Sequence, residues 1–210
     1  MTELKKTRLV EAMAALPALE GPVWWQQLRQ EAITEGAAKG IPTRRDEEWK
    51  YTNMLGLEKK DWDFGQRGQT PLTAADIAAV IHPDQVCLVF ENGRLRPDLS
   101  VGDLPAGVSI KSLATALKED SGLLQQRLSA AADLNPNVFV DLSRIHLSGG
   151  VVIEVAAKTK VSPELHFIDV QSVDNIACNQ RNIMLVGELA EVTVLQSSLT
   201  LDGIKPGFRN

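Results

Sequence analysis

The residues that could do chemistry are few and scattered. The chain has two cysteines, Cys87 and Cys178, and three histidines, His82, His146 and His166. No two histidines stand four apart on a helix pattern, the spacing that puts two imidazoles on one metal. The cysteines lie 91 positions apart, which is neither a C-x-x-C pair nor a disulfide framework. An iron–sulfur cluster usually takes four thiolates, twice what the chain owns. His166 alternates with apolar neighbours in "ELHFIDV" and reads as a sheet-surface or satisfied core histidine; Cys87 in "VCLVF" reads as a small buried hydrophobe. "GQRGQT" at 65–70 lacks the lysine of a phosphate loop and reads as a turn, and there is no G-x-S-x-G elbow. These residues assign no catalytic, cofactor-binding or metal site.

The densest polar cluster is "GIPTRRDEEWKYTNMLGLEKKDW", Gly40 to Trp62. Pro42 pushes Ile41 to extended backbone. Thr43 followed by Asp46 has the form of a capping box, so a helix or helical turn should begin at Arg44. Glu47 and Glu48 are adjacent, hence about 100° apart on a helix, which argues against two carboxylates converging on one substrate. Arg45 and Trp49, and Arg44 and Glu48, are four apart and can pair. The local physics favours a structural knot with a buried Trp49 over an active site.

The elements that must position this cluster are helical. Residues 4–16 place Leu4, Leu9, Met13 and Leu16 near helical spacing ahead of Pro17. Residues 22–39 carry the stripe Trp24, Trp25, Leu28, Ala32 and Ile33, closed by Gly40. Thr73 and Asp76 repeat the capping pattern before "AADIAAVIH". "VCLVFENGRLRPDLS" reads as a hairpin about Asn92-Gly93. "SLATALKED" and "SGLLQQRLSAAADL" read as two more helices. From Gly149 the period changes to short strands, "VVIEVAA", "ELHFIDVQ", "NIMLVGE" and "AEVTVLQSS", with no helical pattern between them. That excludes a βαβ series and leaves a sandwich, a barrel or the coils of a β-helix. The last strand has no closing element, so the chain reads as cut short.

A net charge of −5, 44% hydrophobic and 23% charged residues describe an ordinary globular chain, not a nucleic-acid or anionic-membrane binder. No run approaches a membrane span, and the N-terminus reads as neither signal nor transit peptide. With so few cysteines, the expected compartment is the reducing cytoplasm.

"GIPTRRDEEWKYTNMLGL" closely resembles the N-terminal signature of SufD proteins, in the SufB/SufD family of iron–sulfur cluster assembly; SufB differs at this motif. The matching residues are Pro42, Arg44, Arg45, Glu48, Trp49, Lys50, Tyr51 and Thr52. The resemblance covers essentially the whole chain and implies an α+β fold: a helical and mixed region over 1–148, then the first coils of a right-handed parallel β-helix over 149–210, C-terminally truncated because SufD proteins are about twice this long. It implies a non-catalytic scaffold working with SufB and the ATPase SufC in a complex of one SufB, two SufC and one SufD. SufB would be met through the β-helix. SufC would be met only by the full-length protein, through a C-terminal helical domain. The family's cluster ligands fall beyond Asn210, so no resident cofactor is implied here and the cluster is handled by the full complex. A β-helix carbohydrate-active enzyme is the competing reading; it needs acids such as Glu154, Glu164 and Asp169 to cluster on one face. A plain interaction module unrelated to clusters is the third.

Overall fold

The computed structural model describes residues 7–65, 72–119, 121–134 and 137–210. Leu4 of the first expected helix and the expected turn beyond Gly65 lie outside the described residues. In chain order the helices are α1 (Arg8–Ala14), α2 (Val23–Lys39), α3 (Leu55–Lys59), α4 (Ala74–Ile77), α5 (Leu113–Glu119), α6 (Ser121–Leu134) and α7 (Val138–Ile145), with a 3₁₀ turn at Glu47–Trp49. The strands are β1 (Val86–Glu91), β2 (Arg94–Leu95), β3 (Val108–Ser112), β4 (Val151–Val155), β5 (Leu165–Gln171), β6 (Ala177–Cys178), β7 (Ile183–Val186), β8 (Val194–Thr200) and β9 (Phe208–Arg209). The fold is thus mixed α and β. It divides into two compact units, one of Met1–Trp62, Ala116–Leu147 and Asn210, the other of Asp63–Thr115 and Ser148–Arg209.

The first unit is built on α1, α2 and α7. Leu9, Val10 and Met13 of α1 are buried, as are Trp25, Ala32 and Gly36 of α2 and Val138, Leu142 and Ile145 of α7. A Cβ at Gly36 would lie 3.4 Å from Ile145 Cδ1 and 3.5 Å from both Asp141 Cβ and Val10 Cγ1. These are ordinary van der Waals distances, so an alanine would fit among the three helices and gain helix propensity. Arg29 ties the ends together: its Nε donates to the Ile145 carbonyl (2.7 Å), its Nη2 to those of Ala14 (2.7 Å) and Leu16 (2.9 Å). Carbonyls at helix C-termini lack intrahelical partners, and a cation satisfies them best. The patterns read from the sequence place no helix at α7. Val138, Phe139 and Val140 are strand formers, yet the Asn137 side chain accepts from the N–H groups of Phe139 (2.9 Å) and Val140 (3.1 Å) and starts a helix there.

The second unit is a set of short sheets: β2-β1-β5-β8, β3-β4-β7 and β6-β9. The strands from β4 onward pair in parallel at a near-constant interval. Leu165 faces Val194, an offset of 29; Val152 faces Ile183 and Ala177 faces Phe208, each an offset of 31. The isolated parallel bridges Gly149–Gln180 and Lys160–Glu191 keep the 31-residue interval. β1 joins the same stack in parallel with β5, Val86 opposite Leu165. The expected hairpin is present, with β2 antiparallel to β1 and positive φ at Asn92 (50°) and Gly93 (82°), the conformation of a type I′ turn.

Two apolar layers enclose β1 and β5, which is why both strands read as near-continuous hydrophobic runs. On one side Val86, Leu88, Phe90, Leu165 and Phe167 pack with Val151, Ile153 and Val155 of β4. On the other, Cys87, Val89, Ile168 and Val170 lie under Leu72 and Ile77, with Val80 and Ile81. A buried polar knot pins the hairpin: Ser172 Oγ donates to Glu91 Oε1 (2.6 Å), Arg96 pairs with the other carboxylate oxygen, and Asn92 Nδ2 donates to Ser172 Oγ (2.8 Å). Burial ends at β7 and β8. Val186 (47% exposed), Val194 (38%) and Leu195 (39%) face solvent, and among the described residues no strand pairs beyond them.

Candidate functional site

The motif at 40–52 takes its shape from the end of α2. Gly40, at φ 66°, turns the chain while its N–H still donates to the Gly36 carbonyl (2.8 Å). Ile41, 3% exposed, anchors the turn. The Thr43–Asp46 cap forms as its spacing requires: the Thr43 N–H (2.6 Å) and hydroxyl (3.1 Å) both donate to Asp46 Oδ2. The bond from the Thr43 backbone N–H, and then the one from its hydroxyl, hold the Asp46 carboxyl below its ordinary pKa. The 3₁₀ helix begins at Glu47 rather than at Arg44, with Asp46 as its N-cap, and spans only Glu47–Trp49.

Trp49 is half-buried and not in the core. Its ring lies 5.2 Å from that of Phe139, tilted by 43°. The reason is local: one 3₁₀ turn is too short to carry the indole under a second layer, so the ring packs on Phe139 at the start of α7 and stays partly exposed. The knot therefore has two anchors, Ile41 and Trp49, and an open surface. Arg44, Arg45, Glu48, Lys50, Tyr51 and Thr52 are exposed and Pro42 is half-buried. Lys50 pairs with Glu47 (2.9 Å) and stands 5.2 Å from the centroid of the Tyr51 ring, which is 89% exposed. Beside the motif is a groove of about 430 Å³, whose lining includes Lys39, Pro42, Asp46, Glu48, Trp49 and Val138.

Behind that groove is an ion cluster that sequence reasoning missed. Lys39 Nζ bonds Asp141 Oδ2 (2.7 Å) and Glu35 Oε2 (3.2 Å), and Arg144 lies 3.8 Å from Asp141. The Asp141 side chain is 2% exposed. Its burial raises its pKa, against the lowering by Lys39. Lys39 is raised in turn: burial lowers it, and the bonds to Asp141 and Glu35 outweigh that. The only signal in the sequence was Asn137, a good N-cap that would have placed Asp141 and Arg144 on a common helix.

This arrangement presents charge and an aromatic ring, and it pairs no nucleophile with a base. Asp46 is occupied by its cap and Glu47 by Lys50. The other candidate residues do not converge either: among the described residues no group of three His, Cys, Asp or Glu is placed to hold a metal ion. Both cysteines are buried and unbridged. Burial pushes the Cys178 thiol up to about 12, with Arg209 lowering and Asp169 raising it. His166 is buried, its Nε2 2.8 Å from Ser197 Oγ. Of the acids an alternative carbohydrate site would need, Glu154 is on β4, Asp169 is buried on β5, and Glu164 is exposed at its foot, bonded by Gln85 (3.1 Å).

Residues 20–166 match a family described as the SufBD protein N-terminal region. The match spans well over half of the chain and takes in the motif, α7 and the first strands of the stack. The chain belongs to the SufB/SufD family. It is also similar to an iron–sulfur cluster assembly SufBD family protein of Synechocystis sp., 28% identical over 160 residues, which are 75% of this chain and 35% of that relative. The chain thus aligns with about a third of the relative's length. Of the matching motif residues, the structure half-buries Pro42 and Trp49 and exposes Arg44, Arg45, Glu48, Lys50, Tyr51 and Thr52. No helix among the described residues is long and apolar enough to cross a membrane.

Proposed function

We propose that the chain is the N-terminal part of a SufD-like subunit, a non-catalytic scaffold in iron–sulfur cluster assembly. Family membership supports the process, and the motif from Pro42 to Thr52 supports SufD over SufB. The observation that carries the scaffold reading is the parallel pairing of β4 with β7, β5 with β8 and β6 with β9 at offsets of 29 to 31 residues. Strands that return to the same sheet at a fixed interval, with turns between them, are the pattern of stacked coils, and a right-handed parallel β-helix is the architecture that pattern fits.

In this reading the coils meet a SufB-like subunit, and the SufC-like ATPase contacts residues other than these 210. The chain holds no cluster of its own, and nascent cluster is substrate of the assembled complex. A cytoplasmic location follows from the same role. The carbohydrate-enzyme reading loses support because Glu154, Glu164 and Asp169 do not share an open face.

Disruption of the gene in its host, followed by assay of cluster-dependent dehydratases in cell extracts, tests the role. Their activity should fall and return on complementation. Full activity in the disrupted strain under iron limitation and oxidative stress would refute it.

A further inference from the structure

The buried histidine of β5 has no place in the scaffold role, and its surroundings are unusual. His166 is 5% exposed. It stands in register between Cys87 of β1 and Leu195 of β8. Its Nε2 meets Ser197 Oγ at 2.8 Å, while its Nδ1 is enclosed without a partner. A neutral imidazole accepts this arrangement with Nδ1 as a bare acceptor; an imidazolium would carry a second N–H with nowhere to donate.

The face on which His166 lies is closed by a thin cover. It runs from Leu72 through α4 to His82, and it holds Leu72, Ile77, Val80 and Ile81 against Cys87, Val89, Ile168 and Val170. Its far end touches the histidine's neighbour, because Cys87 Sγ donates to the His82 carbonyl oxygen at 3.9 Å. The charged groups facing the ring oppose one another. His82, at the end of the cover, disfavours a charge on His166, and Glu164, at the foot of β5, favours one. From β8 the neighbours are Ser197 and Leu195, which carry no charge. Desolvation outweighs both charges and holds the imidazole below its ordinary value.

We propose that His166 is an acid-sensitive latch: protonated, it releases the cover of residues 72–82 from the outer face of β1 and β5. Opening gives Nδ1–H water as an acceptor and separates the ring from His82. The sign follows from linkage. The open state takes up the proton at the ordinary histidine value near 6.5, the closed state only at lower pH. Closure is therefore complete above 6.5 and weakens as pH falls below it. The cap at the start of α4 does not explain such opening. Asp76, bonded by the Thr73 hydroxyl (2.6 Å) and N–H (2.8 Å), has its carboxyl pKa held below the ordinary value and stays ionised throughout this range.

Amide hydrogen exchange of residues 72–82 in the whole chain, at pH 7.5, 6.5 and 5.5 and corrected for intrinsic exchange, tests the latch. The opening equilibrium should rise by up to about tenfold per pH unit below 6.5 in the wild type. It should be flat in His166→Gln, whose amide can still reach Ser197 but cannot titrate. No rise in the wild type, or an equal rise in H166Q, overturns the proposal. If H166Q leaves the cover open at every pH, the wild-type imidazole is titrated by NMR instead. A midpoint below 6.5 with cover amides shifting in step upholds the latch, and a midpoint at or above 6.5 refutes it.

Discussion

Replacing Lys39 with methionine should cost the first unit far more than replacing its partner. The Asp141 side chain is 2% exposed and the Lys39 side chain 32%. Lys39→Met leaves a buried carboxylate with only Arg144, at 3.8 Å, to offset it. Breaking a buried pair from the side that strands the other charge costs about 3–5 kcal/mol, and the distant guanidinium recovers part of this, so we expect roughly 2–4 kcal/mol. Asp141→Asn strands a lysine that is partly solvated and keeps Glu35 at 3.2 Å, so about 1 kcal/mol is expected. The two variants should also differ in pH dependence. Burial raises the Asp141 carboxyl, and without Lys39 the weaker pull of Arg144 at 3.8 Å is left to oppose that. The folded K39M chain should then take up a proton before the unfolded chain does, so its deficit should shrink as pH falls from 7 towards 5. Urea denaturation of wild type, K39M and D141N at both pH values measures all of this. Equal costs for the two variants, or a K39M deficit that grows in acid, would refute the assignment of Asp141 as the desolvated partner.

Two further outcomes are expected. Trp49→Ala should cost about 2–3 kcal/mol in a denaturant titration, less than the roughly 3–5 kcal/mol of a core tryptophan, because the indole is only half-buried; a loss above 4 kcal/mol would mean the ring is enclosed. Cys178, with its thiol pushed up to about 12, should resist iodoacetamide in the native chain at pH 8 and react at once in denaturant, and stoichiometric native labelling within minutes would contradict that.

The sequence carried the elements that follow from local chemistry. The Asn92-Gly93 turn, the Thr43–Asp46 cap, the break at Gly40 and the strand series from Val151 all rest on a few adjacent residues. What it hid depends on distance. Nothing local to Val86–Glu91 says that its parallel partner begins at Leu165, or that Glu91 will be buried against Ser172. α7 was hidden by its β-branched start, and its tertiary packing against α2 overrides that propensity. The same gap changed the reading of the motif. The motif's spacing predicts a buried Trp49, but the indole is half-buried and packs on Phe139, on the helix the sequence did not disclose. His166 was read as a core or sheet-surface histidine, and only the register with Cys87 and Leu195 shows that it is enclosed with one nitrogen unmet.

In the proposed role, the coils of this SufD-like scaffold meet a SufB-like subunit. Light scattering of the chain mixed with a SufB-like subunit, and separately with a SufC-like ATPase, over a concentration series measures that association. A one-to-one complex with the first and none with the second is expected. Tight binding of the ATPase with no association to the SufB-like subunit would contradict it.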